Sequence, residues 1–353
     1  MTLQMIFQEY QQRFLERYGQ KLNKDQWSAL NALLGCRTGQ YGEVTMHCSH
    51  CHQDTRWRQS CGHRACNQCQ HHLSSLWLAR QQQKLLPTPY FMVTFTLPAK
   101  LRGVFQSHSQ RCYRLLFESA SETLKYFGKH HPSLEGDLGF TGVLHTHSRQ
   151  LHYHPHLHFI VPAGSFCKKQ SLWKCSDKTY FLPQKAIAKV FRARLLKSLS
   201  NHFSRLPLNI PKKWVVDCRH VGSGLPALQY LSRYLYRGVI SERQIVRNDG
   251  SHITFYYKES KTKKRRYQTL KGEDFIYRLL QHVLPKGFRR VRDYGFLHGN
   301  AKRLLHRIQL CLRVILPPCL PDVKPQIYCR ECGSTEVNFF FTKKNPLSHP
   351  IPT

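Results

Sequence analysis

His154-Pro155-His156-Leu157-His158-Phe159-Ile160-Val161 alternates imidazoles with apolar side chains and leaves through a purely apolar run. Side chains along a β-strand point to opposite faces at a period of two, so His156 and His158 share one face while Leu157 and Phe159 pack behind them. Two imidazoles held this way can close on one metal ion. A bare histidine-apolar-histidine triplet is a weak motif in a chain with 22 histidines, so its weight comes from what surrounds it.

Working outward, Gly139 to His147 and Leu151 to Pro162 read as two strands separated by Ser148-Arg149-Gln150, the spacing of an antiparallel hairpin. The partner strand offers a second histidine pair, His145 and His147. No Asp or Glu occurs between Asp137 and Asp177, so a local third ligand must be His145, His147, His154 or Gln150, and His145 is the one expected. Proline-bounded PYFMVTFTLP (Pro89 to Pro98) reads as a buried strand, with another near Lys213 to His220. Helical periodicity is expected in two short segments within residues 1 to 35, and then near 73–85, 101–128, 183–203 and 226–236. A second hairpin is signalled by Asn248-Asp249-Gly250. The mixture is α+β.

In PALQYLSRYLYR, Tyr230 and Tyr234 lie four residues apart, about one helical turn, and so share a face. Tyr236 falls off that face and reads as packing; Arg233 and Arg237 lie close enough to hold phosphates. A tyrosine phenol has a pKa of about 10 and attacks poorly unless a base or cation assists. A metal at His156 and His158 would withdraw charge from a scissile phosphate and orient it. Attack by tyrosine would give a covalent phosphotyrosine and a free DNA hydroxyl, keeping the phosphodiester energy for rejoining.

The charge agrees with a nucleic-acid partner. The chain has 353 residues, with 54 Lys and Arg against 20 Asp and Glu, for a formal net charge of +34. Self-repulsion of that size penalises folding unless a polyanion covers it. A membrane surface is the alternative for so basic a chain, but the charge is spread from Lys21 to Lys344 with no basic amphipathic helix or long apolar run, so no membrane partner is expected. The N-terminus lacks the pattern of a signal peptide, so a cytoplasmic, nucleoid-associated protein is expected. Lys263, Lys264, Arg265 and Arg266, beside Tyr256, Tyr257 and Tyr267, form a basic and aromatic hairpin within about 240–271, suited to stacking bases while neutralising phosphates.

Fourteen cysteines in a cytoplasmic chain argue for metal thiolates rather than disulfides. Cys48-Ser-His-Cys51 and Cys66-Asn-Gln-Cys69, fourteen residues apart, approach a paired-knuckle zinc pattern, with Cys61 or His63 as alternates for one ligand. The expected organisation is N-terminal helices (1–40), a zinc module (41–72) too poor in aliphatics to fold without metal, a catalytic domain (73–315), and a C-terminal tail (316–353) with little core of its own. Cys329 and Cys332 in that tail form half a zinc site, with Cys311 and Cys319 the candidates to complete it.

Taken together, HPHLHFIVPAG, QYLSRYLYRGVI, FTLP (Phe95 to Pro98), the cysteine-rich front end and FIYRLLQHVLPKGFRRVRDYGFL resemble the insertion-sequence-91 family of transposases, two-tyrosine members of the histidine-hydrophobe-histidine nuclease superfamily. The resemblance covers about residues 10 to 315. It implies a rolling-circle-like transposase acting on single-stranded DNA of element ends and on target DNA, with Tyr230 and Tyr234 as nucleophiles and His156 and His158 binding Mg2+ or Mn2+. It also implies a replication-initiator-like fold, a central antiparallel sheet with flanking helices. The family commonly has a histidine just before the second cysteine pair; here that position is Ala65, which leaves His63 open as ligand or bystander. The alternatives are a replication initiator or relaxase with the same chemistry, and a non-catalytic zinc DNA-binding protein.

Overall fold

The histidine hairpin forms the middle of a five-stranded antiparallel sheet. The computed structural model describes residues 1–69, 71–131, 133–134, 136–175, 182–236, 239–259, 262, 264–315 and 326–342; the side chains of 71–73 and 233–236 are outside that set. In chain order the elements are α1 (Leu3–Tyr18), α2 (Lys24–Gly35), β1 (Glu43–Cys48), β2 (Asp54–Arg58), α3 (His71–Gln82), β3 (Tyr90–Thr96), α4 (Arg102–Ser107), α5 (Ser109–Lys129), β4 (Phe140–His147), β5 (Tyr153–Pro162), β6 (Gly164–Cys167) and β7 (Leu172–Cys175). They continue with α6 (Gln184–Ser200), β8 (Val216–His220), α7 (Leu225–Tyr236), β9 (Ile245–Asn248), β10 (His252–Lys258), β11 (Arg265–Lys271), α8 (Gly272–Leu280), β12 (Val291–Tyr294), α9 (Lys302–Cys311) and β13 (Val337–Phe341).

Two units divide the chain, and neither is continuous: 73–235 with 284–316, and 1–72 with 236–283 and 317–353. In the first, the sheet order is β12-β4-β5-β3-β8. Period-two alternation sorts its residues onto two faces. Phe91, Val93, Phe95, Leu157, Phe159 and Val161 enter one core with Leu116, Phe117 and Leu124 of α5 and Phe191 and Leu195 of α6. Phe95, Phe159 and Phe191 meet edge-on, with Phe95 4.8 Å from Phe191 and 5.6 Å from Phe159 between ring centroids. The imidazoles therefore emerge from the opposite face.

That opposite face carries α3 and α7. Thr141 of β4, on the histidine side, donates to Asp293 Oδ1 (2.6 Å) and to Gln81 of α3 (3.4 Å), while Lys84 Nζ donates to Asp293 Oδ2 at 2.6 Å. Ser74 of α3 in turn donates to the carbonyl of Ser232 in α7 at 3.0 Å. Helix α7 begins against Tyr90, whose side chain shares the face of Thr94 and Thr96: a Cβ on Gly224 would fall 2.7 Å from the Tyr90 ring, and Gly224 has a φ of +82°. Both features require glycine at the turn into the helix.

A second glycine fixes the exit from β12. Gly295 has a φ of +57°, and a Cβ there would meet the Leu138 carbonyl oxygen at 1.7 Å, a backbone atom that cannot swing away. Gly295→Ala is expected to cost about 3 kcal/mol or more, lowering this unit's thermal midpoint by roughly 6–12 °C; an unchanged melting curve would rule out the strain.

In the other unit, α1 and α2 form as the N-terminal periodicity predicts, with Asn23 and Gln26 closing a capping box. The basic hairpin belongs with them. Glu242 Oε1 accepts from the Leu3 amide and from Asn67 Nδ2, both at 3.0 Å, and Tyr10 Oη donates to Asn248 at 2.6 Å. The expected boundary at residue 72 thus separates two groups of elements, but 236–283 returns to the first, because β10 and α8 bury Phe255, Phe275 and Ile276 there. Strands β11-β10-β9 form one small sheet and β13-β1-β2 another. From the C-terminal segment, β13 pairs antiparallel with β1 from Val44 opposite Phe341 to Cys48 opposite Val337, while most of its own side chains stay exposed.

Candidate metal centres

His145 lies opposite His156 in the β4–β5 ladder, and His158 is two residues further along the same face. Their ring nitrogens all lie within 4.8 Å of one another, close enough for one ion, and His147 and His154 stay outside the cluster. Gln150 sits exposed at the hairpin turn. His156 Nδ1 donates to the His154 carbonyl at 2.7 Å, which leaves the lone pair on its Nε2. His158 Nδ1 lies 2.9 Å from Thr94 Oγ1, a hydroxyl able to accept from it and so to leave Nε2 for a ligand. His154 is oriented by Arg102, whose Nη2 donates to His154 Nδ1 at 2.6 Å, since a guanidinium cannot accept.

Burial keeps these rings neutral, which is the form that ligates. It pushes His158 down to about 3 and His154 to about 4, each with help from the neighbouring His156. His145 and His156 are lowered for the same reason. Three neutral imidazoles suit a borderline divalent cation such as zinc, and the expectation of Mg2+ or Mn2+ rests on the family resemblance.

Tyr230 lies on α7, half-buried. Tyr234 is on the same helix one turn on; its side chain, like those of Arg233 and Tyr236, and all of Arg237 and Lys263, lies outside the described residues. Lys264, Arg265 and Arg266 are exposed at the start of β11. Arg265 lies over the Tyr256 ring at 4.9 Å, and Tyr256 faces Tyr267, which is 62% exposed, across the strands.

The thiols form two groups rather than one. Cys36, Cys61, Cys66 and Cys69 converge, with sulfur separations of 3.6 Å (Cys36–Cys69), 3.5 Å (Cys61–Cys69) and 3.7 Å (Cys36–Cys66). Four sulfurs around a tetrahedral zinc at about 2.3 Å lie about 3.8 Å apart, so this donor set fits the ion. The expected quartet of Cys48, Cys51, Cys66 and Cys69 is therefore corrected. Cys48 and Cys51 lie instead with Cys329 and Cys332. Between the two alternates, Cys61 joins the cluster and His63 does not; its Nδ1 accepts from the Ala65 amide at 3.1 Å. Cys36, at the end of α2, carries no sequence signal of its own, because it stands alone without the paired spacing of a knuckle. Cys311 is exposed on α9, its sulfur 3.9 Å from the Ser171 carbonyl, and Cys319 lies outside the described residues.

A thiolate zinc module and an imidazole cluster on an antiparallel sheet, within a chain of net charge +34, define a metalloprotein built to handle nucleic acid. Comparison with known proteins narrows the class. A family model described as "Putative transposase" matches residues 139–304, and another, "Transposase zinc-binding domain", matches residues 6–97. A Sinorhizobium fredii (strain NBRC 101917 / NGR234) protein named "Putative transposase y4qJ" is 32% identical over 321 residues, 84% of this chain and 80% of that one. The "Transposase for insertion sequence element IS801" of Pseudomonas savastanoi pv. phaseolicola is 27% identical over 283 residues, 75% of this chain and 68% of its own. The chain belongs to the insertion-sequence-91 family of transposases, zinc-binding proteins whose substrate is DNA. Among the described residues no helix is long and apolar enough to cross a membrane.

Proposed function

We propose that this transposase cleaves and rejoins single-stranded DNA at element ends through phosphotyrosine intermediates, in the manner of rolling-circle nucleases, with Tyr230 and Tyr234 as the nucleophiles. The observation that carries this reading is the convergence of His145, His156 and His158 on the sheet face against which α7 begins, at Tyr90. His156 and His158, with His145 third, would hold Mg2+ or Mn2+. Bound there, the cation would draw charge from the phosphate oxygens and fix the reacting group.

The remaining steps belong to the chain. A tyrosine oxygen attacks phosphorus, its proton leaves to solvent or a nearby base, and the O3′–P bond breaks, the departing oxygen taking a proton from solvent, to give a 5′-phosphotyrosine and a 3′-hydroxyl. Attack by a 3′-hydroxyl on that phosphotyrosine reverses the bond exchange and restores a phosphodiester. Two tyrosines on one helix let one strand stay covalently held while a second transfer occurs. Arg233 and Arg237 would position phosphates beside them. Lys263, Lys264, Arg265 and Arg266, with Tyr256 and Tyr267, would bind single-stranded DNA by neutralising phosphates and stacking bases. A replication initiator or relaxase would share the chemistry but not the membership of a transposase family.

The test is incubation of the full chain with labelled single-stranded element-end DNA and Mg2+ or Mn2+, followed by denaturing electrophoresis. The expected result is a DNA adduct that survives denaturation and maps by peptide mass to Tyr230 or Tyr234. Failure to form an adduct with either metal, or an adduct mapping elsewhere, would remove this reading.

A further inference from the structure

The cluster of Cys48, Cys51, Cys329 and Cys332 joins residues at opposite ends of the chain, and the matched zinc-binding family model stops at residue 97. We propose that these four thiolates hold a second structural zinc ion, a clasp that fastens the C-terminal strand to the N-terminal module.

Geometry comes first. Cys48 and Cys332 sulfurs lie 3.6 Å apart, as do those of Cys51 and Cys329, close to the roughly 3.8 Å edge of a zinc–thiolate tetrahedron. Disulfide bonding would require about 2.05 Å, and these thiols are free.

The two halves also fold alike. In the first, Cys48 N donates to the Gln53 carbonyl at 3.1 Å and His52 N to the Cys48 carbonyl at 2.9 Å. In the second, Cys329 N donates to the Ser334 carbonyl at 2.8 Å and Gly333 N to the Cys329 carbonyl at 2.9 Å. The offsets match residue for residue. The residue after each second cysteine takes a left-handed conformation, with φ of 57° at His52 and 74° at Gly333. In each half the amide two residues beyond that cysteine, Gln53 or Ser334, points at its sulfur. Amides turned onto thiolate sulfurs offset the charge that four thiolates bring to one ion. Two copies of one knuckle facing each other make a closed site of structural type.

Energetics explains why a metal is needed. In β13, Asn338, Phe339, Phe340 and Phe341 are all exposed, Phe341 by 70%, so the strand buries little apolar surface against β1. A short edge strand of this kind is marginal by itself. Ladder bonds and apolar contact would not hold an end arriving from nearly 300 residues away, whereas structural zinc binding is worth about 10–16 kcal/mol in small modules. The clasp stands whether or not Tyr230 is a nucleophile.

The test counts metal in the purified full chain, with His156→Ala and His158→Ala introduced so that only thiolate sites are scored. The expected content is about two zinc ions per chain, falling to about one in Cys329→Ser/Cys332→Ser and staying near two in Cys332→His, which keeps a ligand. A second measurement uses the unsubstituted chain: alkylation of Cys329 and Cys332, followed by peptide mass, should be at least tenfold slower before a chelator is added than after. One zinc in the parent, two in the double serine variant, alkylation unaffected by chelator, or a disulfide at these positions would each overturn the clasp.

Discussion

Replacing both His156 and His158 by alanine is expected to slow formation of the covalent DNA adduct by about 10³-fold or more, with single-stranded DNA binding and zinc content nearly unchanged. The pair supplies two of the three imidazoles in the cluster on the β4–β5 hairpin, and His145 alone cannot retain a divalent cation. Electrostatic stabilisation of a reacting phosphate by a bound cation is worth several kcal/mol, and about 4 kcal/mol corresponds to three powers of ten in rate. DNA affinity should survive because the proposed DNA contacts are dispersed, exposed cations such as Lys264, Arg265 and Arg266, distant in sequence from the histidines. His156→Gln is a useful companion, since it preserves a side-chain donor for the His154 carbonyl that His156 Nδ1 contacts at 2.7 Å while weakening ligation. Adduct formation within tenfold of the parent in the double variant would show that the imidazole cluster does not serve the strand-transfer step.

How far the sequence disclosed this site depended on whether its signals were local. The hairpin from β4 to β5 was legible because period-two alternation, a polar turn and an acid-free interval all fall within one short stretch. The same alternation indicated His145, which register places opposite His156. The zinc ligands were harder. Paired cysteines signal a knuckle, but nothing in the spacing says which knuckles share an ion, and pairing by nearness joined Cys48 and Cys51 to Cys66 and Cys69. Only their positions in space sort Cys36, Cys48, Cys51, Cys61, Cys66, Cys69, Cys329 and Cys332, eight of the fourteen cysteines, into two sets of four. The return of β10 and α8 to the N-terminal helices was also hidden, because bonds such as Tyr10 to Asn248 depend on three-dimensional closure rather than on pattern.

The largest stability effect is expected from the first thiolate cluster. From Gln59 to Cys69 the chain has turns but no strand or helix, and Cys66 is its one buried residue. Such a loop has no apolar core to offset its ordering cost of about 1–2 kcal/mol per residue. Its order must come from Cys36, Cys61, Cys66 and Cys69 closing on zinc, which also anchors the end of α2. Removing two thiolates in Cys61→Ser/Cys66→Ser forfeits binding worth about 10 kcal/mol or more, comparable to the whole stability of an ordinary domain. The loop and the end of α2 are therefore expected to lose their fold rather than merely soften. Hydrogen exchange should show amides of residues 59–69 exchanging near the unprotected rate, while β3, β4 and β5, whose core is the separate aromatic cluster around Phe95 and Phe159, keep their protection. Chelation of the parent protein should reproduce the pattern and added zinc should reverse it. Full protection of residues 59–69 in the double serine variant would mean that the loop is held by contacts other than its thiolates.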